Sequence, residues 1–146
     1  MALQSKRLYG ATTVLHDIAT TAAVATDTMS AESVVLGTTQ HGDYPFGEFE
    51  LAATFALAVA ANKSIDLYFR PYDISGANQA PAPSTTYKQQ RIGSFYPDVI
   101  LTAQYLKVDG VQLRKDGTYY LFNNATGQSM PAAAWGLKVR AYGYGS

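Results

Sequence analysis

Large apolar residues alternate with polar or small ones in the middle of the chain. Between residues 48 and 59, the sequence EFELAATFALAV places its large side chains at odd positions. A period of two is typical of a half-buried strand, and the run has no helical stripe. Residues 64–70 (SIDLYFR) repeat the pattern, so the odd positions of both runs are predicted to face inward and the even ones outward. Asn62-Lys63 between them suits a tight hairpin, and Pro71 ends the second strand.

Five further strands are predicted in the second half of the chain. They span residues 88–96, 99–108, 111–114, 118–122 and 137–144. Two Asp-Gly pairs, at Asp109 and Asp116, predict turns on either side of the third of these strands. Tyr119 and Tyr120 are neighbours on a strand and therefore point to opposite faces. At least one of them is expected to lie near solvent or a partner.

The first third of the chain has weaker patterns. Strands are predicted at 12–16 and 33–36, whereas residues 19–32 fit a short helix, a loop or a weak strand equally well. Residues 73–86 combine glycine, prolines and small polar residues, which predicts a long loop. Residues 1–10 are interpreted as a flexible N-terminal arm. The whole chain, 1–146, is predicted to be one all-β domain: an antiparallel β-sandwich or jelly-roll-like barrel of about eight strands.

The composition narrows the classes of function. Eleven basic residues balance eleven acidic ones, which favours neither nucleic acid nor an anionic membrane as a partner. The charged share is only 15%, against about 25% in typical proteins, which hints that part of the surface is covered in an assembly. There is no cysteine, so disulfides and thiolate sites are excluded. Without an apolar N-terminal segment, the chain is expected to be soluble and made in the cytosol.

Candidate catalytic and metal-binding residues are few. The only histidines are His16 and His41, and no motif marks a nucleophilic serine beside either of them. The nearest metal-like cluster, His41-Gly42-Asp43, has no second cluster to complete a ligand set. Glu48 and Glu50 resemble an acid–base pair in spacing only, because a solvated strand face explains them as well. We therefore expect no enzyme activity, no metal and no cofactor.

Tyrosines and basic residues suggest two binding alternatives. A stacking groove for single-stranded nucleic acid on an OB-like barrel is the less favoured. That groove would use Tyr68, Arg70, Tyr72, Tyr87, Lys88 and Arg91. A protein interface is the preferred interpretation, because tyrosine offers a large rigid area and a hydroxyl group. The predicted interface residues are Lys6, Arg7, Tyr9, Asn78, Pro81, Pro83, Tyr142 and Tyr144.

Five strand-and-turn phrases follow one another in a recognisable order. They are IDLYFRPYD (65–73), IGSFYP (92–97), TAQYLKVDGVQL (102–113), TYYLFNNATGQSM (118–130) and GLKVRAYGY (136–144). Together they resemble small structural proteins encoded in the virion-gene clusters of tailed bacteriophages. The similarity covers roughly residues 47–144, and the first 46 residues lie outside it.

The resemblance implies a β-sandwich or jelly-roll protein of the phage particle. Its implied role is a decoration (cement) protein on the outer capsid surface, where major capsid subunits meet. The implied partners are the major capsid protein and other copies of the chain, commonly in a homotrimer. The chain would be synthesised in the host cytoplasm and end in the virion. A tail part, a head–tail connector or a receptor-binding module is the alternative, and no active-site residues come with the resemblance.

Overall fold

Seven β-strands make up the regular structure of the chain. The computed structural model describes residues 6–37, 44–76, 79–88, 90–99 and 103–145. The strands are β1 (Lys6–His16), β2 (Phe46–Ala53), β3 (Ser64–Pro71), β4 (Arg91–Phe95), β5 (Gln104–Gln112), β6 (Gly117–Asn124) and β7 (Trp135–Gly145). No helix occurs in these ranges. The predicted all-β class is confirmed, with seven strands in the described ranges where about eight were expected.

The strands form two antiparallel sheets, consistent with a β-sandwich. Sheet 1 has the order β1-β7-β2-β5 and sheet 2 the order β4-β3-β6. Their inner faces supply one hydrophobic core, in which Phe49 and Leu51 of β2 join Ile65 and Leu67 of β3, all fully buried. The predicted inward faces of these two strands are therefore confirmed. Trp135 at the start of β7 lies in the same core.

The connection between β2 and β3 differs from the predicted hairpin. β2 ends at Ala53, and residues 54–63 contain no strand. Phe55 and Val59 remain buried, but Leu57, which was predicted to face inward, is 61% exposed because the strand has already ended. This segment crosses from sheet 1 to sheet 2, so β2 and β3 do not pair with each other. Asn62 does adopt the left-handed conformation expected of a turn, with φ of 61°. The predicted turn at Asn62 is confirmed, but the predicted pairing of β2 with β3 is wrong.

In the second half, one predicted turn lies inside a strand. β5 continues through Asp109-Gly110 to Gln112, and its register against β2 shifts between Gly47 and Phe49. Gly110 has φ of 73°, which fits a bulge as well as a hairpin turn. The predicted strands 99–108 and 111–114 thus become one strand that begins at Gln104. The turn before Gly117 connects the two sheets.

The N-terminal third also departs from expectation. Lys6–Gly10, interpreted as part of a flexible arm, belong to β1, and residues 1–5 lie outside the described ranges. Residues 33–36 form no strand, and Leu36 makes an isolated bridge to Gly117. The predicted loop 73–86 contains no strand in its described parts, 73–76 and 79–86.

Residues 27–36 run along the outer edge of β6 and cover it. Ser30 and Ser33 each donate a backbone N–H to β6, to the carbonyls of Leu121 (2.7 Å) and Tyr119 (2.9 Å). Their hydroxyl oxygens accept the N–H groups of the same two residues, at 2.9 and 2.8 Å. Serine side chains thus replace part of a strand ladder, which explains why this segment has no strand period. The covered edge cannot pair with another chain.

The outer face of sheet 2 is buried, contrary to the prediction for β3. Tyr68, Tyr120 and Phe122 form a second apolar cluster with Met29 packed against it. Lys88 lies over Phe122, 4.1 Å from the ring centroid. Asp66 is buried on this side as well. Because Tyr119 lies in the main core, both adjacent tyrosines are buried and the expectation of an exposed one was wrong.

Candidate interaction surface

Residues from the two ends of the chain meet on the outer face of sheet 1. β1 pairs with β7 so that Arg7 lies opposite Tyr144 and Tyr9 opposite Tyr142. Four of the predicted interface residues therefore form one surface. We call this surface, together with the neighbouring Arg140, the arginine–tyrosine patch. The patch depends on a pairing between strands more than 100 residues apart.

Guanidinium groups stack on tyrosine rings throughout the patch. The Cζ atom of Arg7 lies 4.1 Å from the ring centroid of Tyr142 and 5.9 Å from that of Tyr144. The Cζ atom of Arg140 lies 3.7 Å from the ring centroid of Tyr9. Tyr142 is only 1% exposed, whereas Tyr9 and Tyr144 are 45% and 56% exposed. Cation–π contacts of this kind hold both the cations and the rings in place.

Carboxylates beneath the patch pair with its arginines. Glu48 on β2 lies 3.1 Å from Nη2 of Arg140, 3.0 Å from Nζ of Lys107 and 3.8 Å from Nη1 of Arg7. Burial alone would raise the pKa of Glu48, but the hydrogen bonds from Lys107 and Arg140 hold it below its ordinary value. Asp109 accepts a 2.8 Å hydrogen bond from Arg7. Such partly exposed pairs add little stability, but they fix the direction of the side chains.

The bulge of β5 supports the patch from the side. The backbone N–H of Gly110 donates to the hydroxyl oxygen of Tyr142 at 3.1 Å. Burial raises the pKa of Tyr142 to about 12, and the neighbouring Asp109 carboxylate acts in the same direction. Phe46 stacks on the Tyr142 ring with 5.5 Å between centroids. Tyr142 is therefore a buried support, and the rings of Tyr9 and Tyr144 are the exposed part of the patch.

The remaining predicted interface residues lie apart or at the margin. Lys6 is exposed at the start of β1, beside the patch. Pro81 is exposed and Pro83 is buried, in the loop whose Ala80 carbonyl accepts a hydrogen bond from Arg70 of β3, in sheet 2. Asn78 lies outside the described residues.

Sequence reasoning missed Arg140 as a site residue, together with its partners. The missed partners on neighbouring strands are Phe46, Glu48, Lys107 and Asp109. Arg140 could have been found, because it shares the outward alternation of Tyr142 and Tyr144 in β7. The partners on β2 and β5 have no signal in the sequence, because the strand order that brings them together is a tertiary feature.

The residues proposed for a nucleic-acid groove are largely engaged within the domain. Tyr68 is buried in the second cluster. Arg70 donates to the Ala80 carbonyl at 2.7 Å and lies 3.5 Å from Glu32. Lys88 covers the ring of Phe122. These three side chains do not form an open stacking groove in this structure.

His16, a possible catalytic residue by composition, lies at the end of β1 against the core. Its ring centroid is 5.0 Å from that of Trp135, and its Nε2 atom is 3.4 Å from the Tyr119 carbonyl oxygen. A cleft of about 400 Å³ beside it is also lined by Asp17 and Glu32. His41 lies outside the described residues. Within the described ranges, no group of three or more potential metal ligands occurs.

His16 makes the stability of the domain dependent on pH. Burial lowers the pKa of His16 below its ordinary value of 6.5. Below pH 6.5 the unfolded state therefore binds a proton that the folded state binds only at lower pH. We expect the free energy of unfolding to fall as the pH drops from 7 towards 5, by up to about 1.4 kcal/mol per pH unit from this group. Urea denaturation across this range measures the slope.

The variant that tests this assignment is His16→Gln. Glutamine can still donate to the Tyr119 carbonyl but does not titrate, so His16→Gln should flatten the slope. Equal slopes in the wild type and His16→Gln would contradict the assignment to His16.

The chain thus combines a two-sheet antiparallel β fold with a rigid, partly exposed arginine–tyrosine surface. Comparison with protein-family models, with curated proteins and with solved structures finds no match to it. None of the described residues belongs to a helix long and apolar enough to cross a membrane.

Proposed function

We propose that this chain is a non-enzymatic structural protein of a tailed-bacteriophage virion. Its specific role in the proposal is a decoration protein that binds the outer capsid surface and stabilises contacts between major capsid subunits. The observation that carries the proposal is the arginine–tyrosine patch, where side chains from both ends of the chain form one pre-ordered surface.

The chemistry of the patch suits protein binding. Tyrosine and arginine are enriched among the residues that dominate binding energy at protein interfaces. Tyr9 and Tyr144 are both about half exposed, so each can bury more of its ring against a partner. Arg7 and Arg140 are already held by carboxylates and rings. Little side-chain entropy would be lost on binding, which favours affinity.

The resemblance to phage structural proteins gives independent support. Its five phrases fall on or across the five consecutive strands β3 to β7. They supply the Tyr142–Tyr144 side of the patch, whereas Arg7 and Tyr9 come from the region outside the resemblance. A decoration protein is present in many copies on a repeating surface, so modest affinity at each patch suffices through multivalency.

Co-sedimentation with capsid shells tests the proposal. The probe is empty shells assembled from the major capsid protein encoded in the same gene cluster. We expect the wild-type chain to saturate at a fixed number of copies per shell. Tyr9→Ala and Tyr144→Ala should each weaken binding about 30-fold, the loss typical of an interface hot spot. Tyr96→Ala is the matched control, because Tyr96 is 65% exposed and lies outside the patch.

Each result decides between defined alternatives. Thermal melting of every variant separates lost binding from lost folding. Wild-type chain that stays in the supernatant overturns the decoration role, and binding to assembled tails or connectors would favour the other virion components. Shell binding that is unchanged in both tyrosine variants overturns the assignment of the patch.

A further inference from the structure

We infer that β1 pairs, antiparallel, with β1 of a second copy of this chain. The occupant of the open edge is thus the chain itself, and the pair joins two four-stranded sheets across a two-fold axis. The inference goes beyond the capsid role, because it concerns the purified chain without any shell.

The edge of β1 differs from the other sheet edges. The edge of β6 is covered by residues 27–36. β4 and β5 pack against each other, with Gly93 of β4 facing the Val108 side chain of β5. Among the described residues β1 is the terminal strand of sheet 1, and it carries no Asp, Glu, Lys or Arg from Leu8 to His16. Monomeric proteins usually protect such edges with charges, so an uncharged one indicates pairing.

When two copies of β1 are aligned antiparallel, the side chains that face each other are complementary in character. Setting Tyr9 opposite Val14 of the other copy places Leu8 opposite Leu15 and Lys6 opposite Asp17. Tyr9 and Val14 are 45% and 46% exposed in the single chain. Apolar residues thus meet apolar residues on either side of a centre in which Gly10 and Ala11 face Thr13 and Thr12. Opposite charges meet at both ends, outside the pair of Arg7 and His16. A strand that bound an unrelated segment would have no reason to show this symmetry.

The bulge in β1 makes this register geometrically consistent. Facing residues of an antiparallel pair point to the same side of the sheet. The register shift between Tyr9 and Thr12 places both residues on the outer face, opposite Tyr142 and Arg140. Val14, opposite Lys138, shares that face. Tyr9 and Val14 of two copies can therefore face each other on one side, which a regular strand would not allow in this register.

The length of the ladder has a defined limit. The Leu15 carbonyl already accepts a hydrogen bond from the Val34 N–H at 3.1 Å. The new ladder therefore runs from Tyr9 to Val14 in both copies. Beyond it, Lys6 and Asp17 approach through their side chains. Such an interface is isologous and closes with two copies, whereas the resemblance to decoration proteins implies three.

Sedimentation velocity of the purified chain over a concentration series tests this pairing. We expect a species of twice the 15.7 kDa chain mass. Val14→Lys should weaken association at least tenfold, because two lysines would be placed in the paired edge. Tyr105→Lys is the control, since Tyr105 is exposed on β5 at the opposite edge of the same sheet. A strict monomer, a trimer, or a Val14→Lys variant that associates like the wild type would overturn the inference.

A charge exchange tests the register and the identity of the partner. Lys6→Asp and Asp17→Lys each place like charges at both ends of the pair, so each variant alone should associate more weakly. An equimolar mixture of the two restores opposite charges at every end and should recover the association. Recovery occurs only if the partner strand is another β1, so no recovery contradicts the self-pairing. Since no capsid shell is used, failure here leaves the decoration proposal standing.

Discussion

The Gly117→Ala substitution is expected to destabilise the domain by about 3 kcal/mol, because the added methyl group has no space between β6 and β3. A Cβ atom at this position would overlap the backbone carbonyl of Arg70 and lie 2.7 Å from Cε1 of Phe69. The carbonyl belongs to β3, and the ring is buried in the core. In a domain of this size the loss lowers Tm by about 10 °C. Thermal unfolding followed by circular dichroism measures it.

Gly127→Ala is the matched control for this steric effect. Gly127 has φ of 76°, and a Cβ atom there would meet nothing within 4 Å. Its substitution should cost only about 1 kcal/mol, the strain of a left-handed alanine. If Gly117→Ala melted within a few degrees of Gly127→Ala, the close approach of β6 to β3 would be incorrect.

Removal of the Asp66 carboxylate should destabilise sheet 2 by a similar amount. Oδ1 of Asp66 accepts hydrogen bonds from the hydroxyls of Ser64 and Ser94, both at 2.7 Å. Oδ2 accepts one from Nδ2 of Asn124 at 3.1 Å. These donors belong to β3, β4 and β6, so one buried side chain links all three strands. Asp66→Ala leaves three donors without their acceptor, at an expected cost of about 3 kcal/mol.

The Asp66→Asn substitution keeps the volume of the side chain and changes its charge and hydrogen bonds. Its remaining carbonyl oxygen can still accept from both serines, and only the contact with Asn124 is lost. We expect less than half of the destabilisation seen in Asp66→Ala, measured by urea denaturation at pH 7.5. Equal losses in the two variants would mean that the negative charge and the contact with Asn124 carry the effect, and that the two serine hydrogen bonds and the packing of the side chain add little.

Asp66 also shows where the sequence is a poor guide. Its position in an alternating strand predicted a solvent-facing carboxylate, and the inward positions Ile65 and Leu67 were predicted correctly. The outer side of sheet 2 is buried where Met29 packs against its cluster, where the Ala80 carbonyl accepts a hydrogen bond from Arg70, and where Lys88 lies over Phe122. Those segments have no strand period, so their place against sheet 2 is not encoded in any local pattern.

The arginine–tyrosine patch was predictable in its residue types and not in its geometry. Arg7, Tyr9, Tyr142 and Tyr144 were selected because of their chemistry and their places near the two ends of the chain. The same selection included Pro83, which is buried, and it treated Tyr142 as a contact when it is a support. Whether a ring is exposed depends on its neighbours across the sheet, and here those neighbours come from distant strands.

The sequence by itself determined the all-β class and the inward faces of β2 and β3. Both follow from the alternation of side chains along a strand, which is a property of consecutive residues. Tertiary structure alone decided that β2 pairs with β7 and β5 instead of β3, and that Asp109-Gly110 forms a bulge instead of a hairpin turn. Many strand pairings satisfy the same alternation, and the packing of the whole core selects among them. The arginine–tyrosine patch lies on the sheet that this selection produces.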